Sequence, residues 1–307
     1  MKLWLLLLPA MALAGPAAAG DDKLVIPAGL DAYLPVPEHN PLTREKVELG
    51  KKLFFDVRLS RDSTVSCATC HNPKLAFTDD RPVGVGVAGR ASGRRVPRIV
   101  NRGYGKSFFW DGRAATLEEQ VLQPIQNPKE MDMTLEEAAA RTGLSIERLR
   151  QALASYVRTI LSGDSPYDRY LQGDRNALTG EQRLGLRLFR GKAGCAVCHL
   201  GPNLTDERFH NTGIGWPSDE GRYAVTRAEP DRGAFKTPSL REAARTPPYM
   251  HDGSLKTLEE VIDFYDKGGK PNPTLDPEIR ELQLAAQEKA ALVAFLKALN
   301  GTVRDGM

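Results

Sequence analysis

Cysteine and histidine are scarce: 307 residues hold four of the first and five of the second. An excess of one charge is also missing, since 42 Lys and Arg face 39 Asp and Glu. The resulting net charge of +3 is too small to argue for a nucleic-acid partner. Past the apolar run from Leu3 to about Ala14, no segment is long and apolar enough to span a membrane. Strand-like alternation is sparse as well, so the chain is expected to be mainly α, with long loops and room for two ordinary domains. The opening MKLWLLLLPAMALAGPAAAG has one Lys, an apolar stretch and then small residues. That is the layout of a secretory signal cleaved after Ala14 or Ala19, so the mature protein is expected to be exported.

Four cysteines in an exported chain would ordinarily pair as two disulfides. Here they fall as Cys67-Ala-Thr-Cys70-His71 and Cys195-Ala-Val-Cys198-His199, and CxxCH is the attachment signature of c-type haem. Each thiol pair can take the vinyl groups of one porphyrin while the adjacent His supplies an axial nitrogen. Zinc is disfavoured because each Cys-Cys-His set lacks a nearby fourth ligand. Two covalently bound haem c groups are therefore expected, on Cys67, Cys70 and His71 and on Cys195, Cys198 and His199. Cations gather in GRASGRRVPRIVNRGYGK, Gly89 to Lys106. This stretch reads first as a solvated loop, and alternatively as a source of partners for a cofactor's carboxylates.

The chain repeats itself. LGxxLF occurs at Leu49–Phe54 and at Leu184–Phe189, each followed by CxxCH, and WDGRAATLEEQVLQP at 110–124 returns as HDGSLKTLEEVIDFY at 251–265. The expected organisation is a signal over 1–19, an N-terminal haem domain over 20–165 and a C-terminal haem domain over 166–307. The boundary lies in SGDSPYDRYLQGDRNALTG. Capping-box spacings at Thr116/Glu119, Thr134/Glu137 and Thr257/Glu260 predict helix starts.

The duplicated stretches differ at their ends. Leu258, Val261, Ile262 and Tyr265 share one helical face, which points Tyr265 inward, either as a core tyrosine or as a second ligand to the iron held by His199. Its counterpart Pro124 has no side-chain donor, so the first iron is expected to stay open on that side. Near it, Gln120 is placed to hold a peroxide. Glu130 is either an exposed acid or a carboxyl that moves a proton between peroxide oxygens. Trp110 is a packing residue or an electron relay between porphyrins. His251, its counterpart, is expected to bond a haem propionate, with ligation of iron as the alternative. Met250 is a possible late ligand, His39 and His210 are sixth-ligand candidates should both irons be saturated, and Trp216 is a candidate surface aromatic.

These residues resemble the bacterial dihaem cytochrome c peroxidase and MauG family from about Leu49 to Leu299, through FFWDGRA, TLEEQ, PIQNPKEM, RGAFKTPSL and TPPYMHDGS. The resemblance implies two cytochrome c-like domains, with His71 and His199 as proximal ligands and Trp110 between the haems. Gln120, Pro124 and Glu130 match the family's distal pocket. Typical peroxidases place Met where this chain has Tyr265, and MauG-like members place Tyr. Peroxidases also commonly carry a His in the loop after the first haem motif, and residues 72–95 have none. Both departures imply a periplasmic MauG-like enzyme that reacts with hydrogen peroxide at the N-terminal haem and uses a high-valent dihaem state to oxidise a partner protein. The alternatives are a peroxidase fed by a small cytochrome and a non-catalytic electron carrier. The family also binds calcium through an Asn side chain and carbonyls, here Thr246 and Pro248. Arg95 stands at the Asn position and would repel the ion, so the guanidinium is expected in its place.

Overall fold

The computed structural model describes residues 23–307, so the expected signal over 1–19 lies outside the described residues. The structure is mainly helical, with a few short strands and long loops. In each repeat the helix that carries LGxxLF begins at a threonine. Thr43 caps Arg44–Phe54 by accepting from Lys46 N; Glu45 lies in the first turn and Lys51 and Lys52 in the last, matching the helix dipole. Thr179 caps Gly180–Arg190 in a reciprocal box with Gln182.

The glycine of LGxxLF is a crossing point. A Cβ on Gly50 would lie 1.9 Å from the carbonyl oxygen of Ala152, and one on Gly185 would lie 1.9 Å from that of Ala291. Each of these helices thus presses directly on the backbone of the later helix of its unit, Ile146–Arg158 or Ala286–Lys297. Apolar faces at helical spacing line these contacts: Leu149, Leu153, Tyr156 and Ile160 in one core, Leu292, Phe295, Leu296 and Leu299 in the other. Gly185→Ala is expected to cost about 1–3 kcal/mol through overpacking. Denaturant unfolding of the holoprotein checks this; an unchanged midpoint would mean the helices can part freely.

The last residues return to the first unit. Leu161–Gly163 pairs antiparallel with Thr302–Arg304, and Asp305 takes a hydrogen bond from Tyr156 and an ion pair from Lys51, each at 2.7 Å.

The repeat is also visible in the backbone. Phe109 and Met250 both adopt left-handed φ, +67° and +71°, just before Trp110 and His251. Arg95 and Lys236 occupy equivalent places upstream, and each bonds across to the other unit: Arg95 N donates to His251 O at 2.7 Å, Lys236 N to Trp110 O at 2.8 Å. Trp110 and His251 therefore meet at the centre of a pseudo-twofold junction, their ring centroids 6.3 Å apart.

Thr116 and Thr257 have the same cap conformation, φ −130° and ψ 160°. Their glutamates reach back one residue further than a capping box requires, to Ala115 N and Lys256 N. Beyond the caps the copies diverge. The second runs unbroken as Leu258–Asp266, whereas the first stops at Gln120 and resumes as Gln123–Gln126. Pro124 brings no N–H to continue the ladder, which accounts for the break.

Candidate active site

Both CxxCH motifs open onto one cavity of about 870 Å³ between the units. Cys67–Cys70 forms one helical turn behind Ser66, and Cys195–Val197 a 3-10 turn behind Gly194. All four thiols are unpaired, and burial pushes Cys67 and Cys195 up to about 12. His71 donates from Nδ1 to Phe77 O at 3.1 Å, and His199 from Nδ1 to Leu204 O at 3.0 Å. That bond fixes the tautomer and leaves Nε2 with its lone pair. Burial lowers both imidazoles to about 4, so they are neutral, as an iron ligand must be.

Around His71, the structure brings Cys67, Cys70, Gln120, Pro124 and Glu130 together on a smaller cavity of about 70 Å³. Glu130 Oε1 accepts from Asn127 Nδ2 at 2.7 Å. Burial pushes its pKa up, against the Asn127 bond and the charge of Arg113. The turn carrying Glu130 packs so tightly on Gly86 that a Cβ there would lie 2.3 Å from Glu130 O.

In the second unit, Leu258, Val261 and Tyr265 line the large cavity together with Cys195, Cys198 and His199. Burial, then the neighbouring Cys195 and Cys198, pushes the Tyr265 phenol well above its ordinary pKa. Met250 lines the same cavity. His39 is on the exposed surface and does not line it. His210 does, but both its nitrogens are engaged, Nδ1 with Asp276 at 2.6 Å and Nε2 with Asp206 at 2.9 Å. Contact with Cys198, together with these carboxylates, raises it to about 10. Trp216 is half-buried on a loop away from the cavity lining.

Trp110 lines the cavity and donates from Nε1 to Arg95 O at 2.8 Å. His251 is buried, stacks on Phe235 with centroids 3.4 Å apart, and has no partner at Nε2. The cation-rich stretch is solvated only at its ends, where Arg90 and Lys106 are exposed; its middle is not. Arg94 forks onto Asp219 and reaches Asp111 at 2.7 Å, and Arg102 grips Glu207. Arg95 donates to the carbonyls of Thr246 at 2.9 Å, Pro247 at 3.2 Å, Asp79 at 3.1 Å, and Pro248. The oxygens expected of a calcium site thus face a guanidinium, and this set does not fit a divalent cation.

Sequence reasoning passed over Lys236 and Glu207. Burial lowers Lys236 to about 7, while Arg102 and then Lys236 hold Glu207 at about 2 against its own burial. The signal was present, since Lys236 repeats the position of Arg95.

Two related helical units, each turning a Cys-Cys-His set and a neutral imidazole toward a shared cavity, define a two-haem protein of the cytochrome type. The profile described as di-haem cytochrome c peroxidase matches residues 44–145. The chain is 42% identical to the methylamine utilization protein MauG of Methylorubrum extorquens, over 87% of this chain and 81% of that protein. It is 36% identical to the cytochrome-c peroxidase IdrP1 of Pseudomonas sp. (strain SCT), over 96% and 91%. A crystal structure of a MauG-like protein associated with microbial copper homeostasis superposes with a TM-score of 0.81 at 34% identity, covering 91% of this chain and 94% of that one. The chain belongs to the di-haem cytochrome c peroxidase and MauG family. It is a hydrogen peroxide-dependent oxidoreductase with two haem groups.

Proposed function

We propose that this is a MauG-like enzyme: peroxide reacts at the first haem, and the oxidising equivalents pass to a partner protein. The observation that carries this reading is the asymmetry at one repeat position. Tyr265 reaches the wall that holds Cys195, Cys198 and His199, while Pro124 offers nothing to the first site. Cys67, Cys70, Cys195 and Cys198 would hold the two haems, which would supply the redox-active metal for peroxide cleavage. Gln120 holds the peroxide by hydrogen bonding. Glu130 moves a proton from one peroxide oxygen to the other, through the carboxylate oxygen that Asn127 leaves free. Trp110, tethered at both its indole N–H and its carbonyl, is held in one orientation between the units. The unpartnered Nε2 of His251 suits a haem propionate.

The proposed units are 20–165, with the open haem, and 166–307, with the haem held by His199 and Tyr265. Export to the periplasm fits the N-terminal layout, and no helix among the described residues is long and apolar enough to cross a membrane. Met250 on the cavity wall supports a second reading, a peroxidase that draws electrons from a small cytochrome. Adding stoichiometric peroxide to the diferric protein separates the readings. Optical and electron-spin spectra changing at both haems support the first; a change confined to one haem sinks it.

Calcium is not part of this proposal, since Arg95 serves as the cation that ties Thr246–Pro248 to the first unit. Arg95→Asn is expected to destabilise the chelated holoprotein by about 1–3 kcal/mol for each buried carbonyl left without a donor. Added calcium should then restore stability in the variant and leave the parent unchanged. Thermal unfolding with and without chelator reads both; a parent that loses stability on chelation would show that the ion is needed after all.

A further inference from the structure

Arg98 is the one cation of the stretch 94–102 for which the described residues supply no carboxylate. Arg94 has Asp111 and Asp219, Arg95 has Asp79, and Arg102 has Glu207. Arg98 lines the cavity and donates only to neutral oxygens, from Nη1 to Thr246 Oγ1 at 2.7 Å and from Nη2 to Ser239 O. Two of its five N–H donors are thereby used, and Nε, sealed from solvent, has no partner.

Arg98 is half-buried, and a guanidinium nitrogen sealed from water with no anion to meet it is unfavourable. The groups facing it do not remove that cost. Arg95 from its own segment adds repulsion. Tyr249 and Glu242 from the second unit favour its charge, but burial outweighs them and lowers it to about 10. Glu242 is already engaged with Ser162, Gly301 N and Arg245. Arg98 also acts across the junction. It belongs to the first unit, and both of its acceptors, Thr246 and Ser239, belong to the second.

We infer that Arg98 is the counter-ion of a carboxylate on the second haem, a positioning residue lent by the first unit to its neighbour's cofactor. The inference rests on the two-haem part of the proposed function and not on its choice of substrate. Pairing keeps the carboxylate ionised, and the cation helps set the potential of the second iron.

Spectroelectrochemical titration of the holoenzyme over a range of pH tests this, with haem counted separately by its pyridine adduct so that failed loading is distinguished. Arg98→Gln should lower the potential of the second haem only, because removing a positive charge favours the ferric form. It should also make that potential rise as pH falls, since the freed carboxylate takes up a proton on reduction. Arg98→Lys should return both features toward the parent. Unchanged potentials in a fully loaded Arg98→Gln overturn the inference, and so does a fall in potential with no new pH dependence. If Arg98→Gln does not accumulate with two haems, Arg98→Lys must do so and keep a pH-independent second potential; its failure is equally decisive.

Discussion

Glu130→Gln is expected to slow the reaction with peroxide by about 10²–10⁴-fold, the usual contribution of a positioned general acid–base. The amide keeps the shape of the side chain and can still meet Asn127, but it cannot take up a proton. Haem content and resting spectra should stay as in the parent. The pH dependence gives an independent check. Burial raises the Glu130 pKa, and the ionised carboxylate is the proton acceptor. The parent's rate should therefore be high above that raised pKa and fall as pH drops through it, whereas the variant should lack this limb. Stopped-flow mixing with stoichiometric peroxide measures both. A variant as fast as the parent, or one that keeps the acid limb, would remove Glu130 from the chemistry.

Tyr265→Phe should affect the other haem. The phenyl ring fills nearly the same space against Leu258 and Val261 but carries no oxygen for a metal. The spectrum of the second haem should change and that of the first should not. Oxidation of a protein partner should fall by more than the roughly 10–100-fold that disturbing a metal's outer surroundings costs. Tyr265→Met extends the test, because a thioether ligand raises the iron potential and should make the second haem easier to reduce. An unaltered second-haem spectrum in Tyr265→Phe would show that the phenol is a packing residue, and the cytochrome-fed reading would then gain ground through Met250.

Much of this architecture was legible in the residues themselves. CxxCH is a local motif that needs no tertiary context, so both Cys-Cys-His sets that line the cavities could be picked out from spacing. The register that turns Tyr265 inward follows from the helical period, and Pro124 interrupts the equivalent helix through its missing N–H. The repeat likewise foretold two similar cores. The middle of the cation-rich stretch was misread because composition cannot say whether an arginine meets water or an acid far away in sequence. Arg94 finds Asp219 and Arg102 finds Glu207 only once the units are docked.

The sequence by itself determined that four cysteines and two histidines fall in two CxxCH sets, that Tyr265 and Pro124 hold the same repeat position, and that two units of one kind share the chain, because those properties depend on neighbours a few residues apart. Tertiary structure alone decided that Arg95 and Lys236 reach across to His251 and Trp110, that a guanidinium sits among the Thr246–Pro248 carbonyls, that Arg98 was left without an acid, and that the final residues close on the first unit. Pairings between distant segments carry no period or spacing of their own. They arise when both cores have formed and buried polar groups must find whatever partner the docked surfaces provide.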